Sequence, residues 1–150
     1  MNAIKFLIRQ GDEKDRSALH DLLVSCDMEA DLPPEEFIVV DIEGQIVGAA
    51  RLEWENQSAY VRPILVHSSW RGMNIGLTLI RTLTEYQPII HVVARGSAIG
   101  FYNKLGFVSM TWDQVPERYR QECETCPDLE TCHPVAMILN KSTDDRNTKN

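Results

Sequence analysis

The stretch that most restricts what this chain can become is Val66-His67-Ser68-Ser69-Trp70-Arg71-Gly72-Met73-Asn74-Ile75-Gly76-Leu77. An apolar strand-like run ends at Val66, a short loop carries Arg71 and Gly72, and an apolar helical pattern follows at Ile75, Leu79, Ile80 and Leu83. A strand feeding a glycine-bearing loop and then a helix start suits a phosphate. The first N–H groups of a helix have no intrahelical partner, and the helix dipole adds partial positive charge there. Small residues let the backbone approach the anion, and Arg71 supplies a charged fork. An ordinary strand–loop–helix junction can carry a glycine too, so the loop alone leaves both readings open.

The rest of the chain reads as strands and helices around that junction. Ile4, Phe6 and Ile8 alternate with Lys5 and Arg9 in a first strand. Asp12 and Asp15 signal a helix start, and Leu19, Leu22, Leu23 and Cys26 fall on one helical face. The acidic segment from Asp27 to Glu36, with Pro33-Pro34, reads as a short helix or a loop over the sheet. Phe37 to Asp41 and Gln45 to Glu55 form a hairpin across Glu43-Gly44, and Ala59 to Val66 is a fourth strand interrupted by Pro63. Ile89 to Val93 is a fifth strand, Ser97 to Leu105 a short helix stopped by Gly106, Phe107 to Trp112 a sixth strand and Val135 to Leu139 a seventh. This order predicts an α/β fold around one mixed sheet of about seven strands with flanking helices. The expected domain spans residues 1–140, with a polar, disordered tail over 141–150.

Length and charge narrow the function. A chain of 150 residues suits one compact domain. Its formal net charge of −7 argues against a nucleic-acid binder, which needs a basic stripe. No stretch is long and apolar enough to span a membrane, and Met1 to Gln10 is a charged strand pattern rather than a signal peptide, so a cytoplasmic location is expected.

Two blocks carry a resemblance. The loop reads Arg71-x-x-Asn74-x-Gly76, similar to the pyrophosphate loop Gln/Arg-x-x-Gly-x-Gly/Ala of the GCN5-related N-acetyltransferases. Asn74 replaces a glycine there, and Asn is among the side chains that best tolerate left-handed backbone. The second block, Ala98-Ile99-Gly100-Phe101-Tyr102-Asn103-Lys104-Leu105-Gly106-Phe107, resembles the family's Ala-x-x-x-Tyr-x-x-x-Gly-Phe. The resemblance runs from about Ile4 to Leu139.

It implies the family's fold, with strand four splayed from strand five, and transfer of an acetyl group from acetyl-CoA to a primary amine. Arg71, Gly72, Met73, Asn74, Ile75, Gly76, Leu77 and Asn103 would bind the cosubstrate, with the free backbone of Ile64, Leu65 and Val66 receiving its pantetheine arm. Pro63 is a local cause for the splay, and Arg95 and Lys104 add positive charge. Tyr102 would protonate the leaving thiolate. Its alternative is an amphipathic core residue with its hydroxyl at the rim.

Arg62-x-x-x-Val66 resembles the Arg-Ser-Leu-Ala-Val strand of short, N-acetylglutamate-synthase-like acetyltransferases, which implies that Arg62 holds an acceptor carboxylate. Tyr60 stands where that pattern has an acid, and Pro63-Ile64-Leu65 differs from Ser-Leu-Ala, which puts glutamate as acceptor in doubt. Glu53 and Glu55 flank Trp54 and share one strand face, but neither is assigned as the base. The tail segment with Cys123-x-x-Cys126, Cys132 and His133 resembles the same group. A zinc site, a redox pair and unmodified thiols compete there, and no metal is expected to be required. Partners are then acetyl-CoA and a small amine acceptor, with no nucleic acid and no membrane, and a homodimer is compatible. The rival functions are a catalytically weak CoA-binding sensor and a thiol- or zinc-centred regulatory protein.

Overall fold

The structure, a computed structural model, describes residues 6–26, 28, 31–127 and 133–142. Along the chain run β1 (Phe6–Gln10), α1 (Arg16–Ser25), β2 (Phe37–Ile42), β3 (Gln45–Glu55), β4 (Ser58–Val66), α2 (Ile75–Tyr86), β5 (Ile89–Ala94), α3 (Ala98–Lys104), β6 (Val108–Ser109), α4 (Glu117–Glu124) and β7 (Val135–Asn140). The sheet is mixed and seven-stranded in the order β1-β2-β3-β4-β5-β7-β6. β4 and β5 are parallel, whereas β7 runs antiparallel to both β5 and β6. This is the α/β architecture expected. The chain divides into two compact units, Met1–Leu52 with Val61–Glu85, and Glu53–Tyr60 with Tyr86–Asn150.

In the first unit, β2 and β3 join through Glu43 and Gly44, both at positive φ (51° and 91°), the backbone that a tight hairpin needs. The Asp12 side chain accepts from the Lys14 N–H, and the Asp15 carboxylate accepts from the Asp12 N–H, a reciprocal cap ahead of α1. The same Asp15 carboxylate takes two hydrogen bonds from Arg9, at 2.8 and 2.9 Å, and Arg9 also reaches Asp41 at 3.1 Å. One guanidinium thus joins β1, β2 and the entry to α1. Leu19, Leu22 and Leu23 of α1 pack with Phe37, Val39, Ala49 and Leu65, and Cys26 lies against that cluster as a small apolar side chain. Gly48 neighbours Ala49 and faces the other way. A Cβ on it would meet Ile75 Cγ2 at 2.8 Å and Leu79 Cδ1 at 3.4 Å. The missing side chain lets the start of α2 lie directly on β3.

In the second unit, β5 and β7 pair along six positions, from Ile89↔Asn140 to Ala94↔Val135. The parallel register of β4 with β5 is one position, Tyr60↔His91. The sixth strand is shorter than the pattern Phe107 to Trp112 suggests. The Phe107 N–H closes onto the Tyr102 carbonyl at the end of α3, the Met110 N–H bonds to Ala136, and Thr111 then opens a 3-10 turn at Trp112–Gln114. α4 follows where no element was expected. Tyr119 is its buried residue, so it carries no apolar periodicity to read. Tyr119 packs with Tyr60, Val115 and Ala136, and half-buried Val93, Met110 and Trp112 cover that cluster. Gly106 sits over Leu139, which points to the face opposite Ala136. The turn after α3 and the helix α4 therefore lie on opposite faces of the β5–β7 ladder.

Candidate active site

The first unit assembles one group of the expected residues. β4 ends at Val66, and the His67 N–H donates to the Val47 carbonyl at 2.7 Å, fastening that end to β3. The His67 Nδ1 accepts from the Ser69 N–H at 3.1 Å, shaping a 3-10 turn over Ser68–Trp70. Arg71, Gly72, Met73 and Asn74 are all exposed, and Arg71 folds back so that its Nε donates to the Val66 carbonyl. Gly72 and Asn74 both have left-handed backbone, with φ of 84° and 63°. The Asn74 carbonyl accepts the first bond of α2 from the Thr78 N–H at 3.0 Å and also one from the Thr78 hydroxyl at 2.8 Å. The N–H groups of Ile75, Gly76 and Leu77 form the first turn, where a helix has no internal acceptors to offer.

A Cβ on Gly72 would meet nothing within 4 Å, so the loop is open above its backbone. These are the features a diphosphate fits: exposed main-chain donors, a helix N-terminus and a guanidinium one residue ahead of the left-handed turn. Ile64 and Val66 are half-buried on β4, Leu65 is buried in the α1 cluster, and Arg62 is half-buried with its carbonyl accepting from Arg51 at 3.0 Å.

The second unit holds Tyr102 and Asn103, adjacent on α3. Asn103 is exposed, while the Tyr102 ring is 4% exposed and packs edge-on against Phe107 with centroids 5.0 Å apart. Burial pushes the Tyr102 phenol well above its ordinary value, so it keeps its proton throughout the neutral range. No hydrogen bond to its hydroxyl forms among the described residues, and no buried side-chain N or O there lacks a partner. The phenol oxygen is therefore the accessible tip of a buried ring, placed to donate.

Three further groups of this unit carry no assignment from the sequence. The Tyr119 hydroxyl donates to Glu53 Oε1 at 2.6 Å, and Arg118 spans Glu53 at 3.3 Å and Glu55 at 3.0 Å. Glu53 and Glu55 do share one face, and Trp54 between them points outward, 57% exposed. His91 is buried and stacks on Tyr60 with centroids 5.0 Å apart, and Tyr119 meets the same tyrosine edge-on at 4.9 Å. Only the two glutamates give a local signal. Tyr119 lies 66 residues from Glu53, and His91 sits inside an apolar run.

The C-terminal thiols are less fully placed. Cys123 and Cys126 are half-buried at the end of α4, where the Cys126 N–H donates to the Cys123 carbonyl at 3.1 Å, and Cys132 lies outside the described residues. Among the described residues no group of three His, Cys, Asp or Glu side chains converges to hold a metal, and no helix is long and apolar enough to cross a membrane.

The acetyltransferase (GNAT) domain model matches residues 33–109. An uncharacterized N-acetyltransferase of Chlorobaculum tepidum is 22% identical over 107 residues, which is 69% of each chain. Among solved structures, the N-acetylglutamate synthase of Neisseria gonorrhoeae, complexed with coenzyme A and N-acetyl-glutamate, superimposes with a TM-score of 0.70 at 15% identity over 93% of this chain. This chain spans 36% of that larger protein. The diaminobutyrate acetyltransferase of Paenibacillus lautus, complexed with L-2,4-diaminobutyric acid and coenzyme A, superimposes with a TM-score of 0.64 at 15% identity, over 92% of this chain and 96% of its own. At such identities the likeness speaks for the fold.

Proposed function

This chain belongs to the GNAT acetyltransferase family, and from that premise we propose that it moves the acetyl group of acetyl-CoA directly onto the primary amine of a small acceptor, an amino acid among the candidates. One observation carries the reading. Gly72 and Asn74 both turn left-handed at the exposed entry to α2, which presents a row of backbone N–H groups beside Arg71.

In this reading Arg71 to Leu77 hold the diphosphate, with Asn103 as a further contact. Ile64, Leu65 and Val66 offer main-chain groups to the pantetheine arm. Arg62 takes the acceptor's carboxylate, since a guanidinium forms two parallel bonds to one. Tyr102 gives a proton to the sulfur as the carbon–sulfur bond breaks, which its retained proton and accessible oxygen allow. The working partners are acetyl-CoA and a small amine, in the cytoplasm.

The test is release of CoA thiol from acetyl-CoA in the presence of a broad panel of amino acids and diamines. Turnover with at least one amine is expected, and binding of acetyl-CoA without turnover across the panel would leave only a CoA-binding module. Arg71→Ala should weaken acetyl-CoA about tenfold, the loss of one charge-assisted contact of about 1.5 kcal/mol. An unchanged Kd would show that the diphosphate sits elsewhere.

A further inference from the structure

We propose that His91 takes the proton from the acceptor's ammonium group, with Tyr60 as the positioning residue that holds its ring. The assignment rests on the acetyl-transfer reading above, and it fills the one role that reading leaves empty. An amine is an ammonium ion at neutral pH and cannot attack a carbonyl until a base removes a proton. In the Glu-Val-Arg pattern that Tyr60-Val61-Arg62 resembles, an acid stands at the first position. Here that position is a tyrosine, and its ring lies on an imidazole at an interplanar angle of 23°.

The geometry fixes what the imidazole can do. Its Nδ1 lies 3.2 Å from the Ala59 carbonyl oxygen, and a carbonyl only accepts, so Nδ1 carries the hydrogen. The lone pair of the neutral ring is then on Nε2. His91 makes no other hydrogen bond among the described residues, and no buried side-chain nitrogen there is left without a partner. Nε2 is therefore the accessible edge of a ring otherwise buried.

The neighbouring groups leave it neutral. Tyr60 of β4 covers one side, Ile138 of β7 is its register partner, and Tyr119 of α4 stands behind Tyr60 with its hydroxyl committed to Glu53. Glu53 and Glu55 are themselves engaged by Arg118, at 3.3 and 3.0 Å. Burial moves the His91 ring below its ordinary value and the Tyr60 phenol above its own, so neither is charged at neutral pH.

The protons balance. His91 Nε2 takes one proton from R–NH3+, directly or through one water, and becomes imidazolium. The amine lone pair forms the nitrogen–carbonyl carbon bond, and the carbon–sulfur pair leaves with sulfur. Tyr102 supplies the proton that makes the thiol and is reprotonated by the second proton of the attacking nitrogen. The imidazolium returns its proton to solvent, so the net change is one proton released per amide formed. The turn after α3 and the helix α4 lie on opposite faces of the β5–β7 ladder, and His91 shares the α4 face with Val93 and Ala136.

The experiment has two arms on the full chain. Ring nitrogen NMR of His91 should show the neutral Nδ1–H form at about pH 7 and a midpoint below the ordinary 6.5. A cationic ring at neutral pH, or the Nε2–H form, overturns the assignment. The second arm uses an amine that the wild type acetylates in the panel. His91→Asn, whose amide can still donate to Ala59, should lose about a hundredfold in kcat and the acidic limb of the pH profile, with the Kd for acetyl-CoA kept and partial rescue by added imidazole. Tyr60→Leu, which removes the ring that His91 stacks on, should lower kcat and move the acidic limb with the Kd for acetyl-CoA kept, and an unmoved limb would strip Tyr60 of its positioning role.

A His91→Asn protein that retains the wild-type kcat and acidic limb defeats this assignment while leaving acetyl transfer intact. A wild type that acetylates no amine defeats the acetyl-transfer reading, and the assignment falls with it. If the substitution unfolds the chain, the ring tautomer alone decides.

Discussion

Asn74 shows how much a single residue can disclose through its type and spacing. Its place in Arg71-x-x-Asn74-x-Gly76 suggests a left-handed turn, and its φ of 63° is that turn. Left-handed backbone costs an ordinary L residue about 1–2 kcal/mol. Asn74→Gly should therefore keep the wild-type Kd for acetyl-CoA, whereas Asn74→Val should raise it about tenfold, as titration calorimetry can read. Tyr102 is singled out by a block spaced by a helix, and its ring is buried against Phe107. Tyr102→Phe should lower kcat about a hundredfold with the Kd for acetyl-CoA unchanged. An equal loss of binding would make the ring a packing residue only. His91 is not legible. In sequence it is one polar letter in Ile89-Ile90-His91-Val92-Val93, and nothing local says that a tyrosine from another strand will cover it.

Elements with a strong apolar period can be read nearly to the residue. The apolar face of α2, Ile75, Leu79, Ile80 and Leu83, is the buried face in the structure, and Gln45 to Glu55 is β3 as expected. α4 escapes because it is held by one tyrosine and by charged contacts to residues far back in the chain, which leave no periodic trace. β6 is shorter than its apolar letters suggest because Phe107, Val108 and Met110 are apolar for different reasons: Phe107 packs on Tyr102, while Val108 is 60% exposed on an edge strand. The contact between β3 and α2 gives a prediction at this scale. Gly48→Ala places a methyl 2.8 Å from Ile75 Cγ2 and 3.3 Å from the Leu65 carbonyl oxygen. It should cost about 1–3 kcal/mol in urea unfolding and weaken acetyl-CoA, because the first turn of α2 must lift off the sheet.

For the molecule as a whole, the order of strands and helices is legible and the tertiary ion pairs are not. Arg9 and Asp41 are far apart in sequence, and the Asp15 side chain, only 5% exposed, depends on Arg9 for its counter-charge. The Arg9 hydrogen bonds hold the Asp15 carboxyl below its ordinary value of 3.8. A carboxylate whose folded value is depressed adds stability that is complete above its unfolded value. That stability is lost as pH falls through the folded one. Resistance to urea should therefore weaken steadily below about pH 4. Arg9→Met should cost about 3 kcal/mol at neutral pH and flatten that acid slope, because a buried carboxylate loses the guanidinium bound to it and keeps the Asp12 N–H.

β7 slots between two strands that precede it in the chain. β7 lies between β5 and β6, so residues 89–94 and 108–109 acquire their shared neighbour only when residues 135–140 arrive. On the ribosome, a chain that has emerged through α3 already contains the glycine-bearing loop ahead of α2 but lacks the partner of β5. The part of the sheet that flanks α3 is completed only when translation delivers the segment that pairs with both β5 and β6.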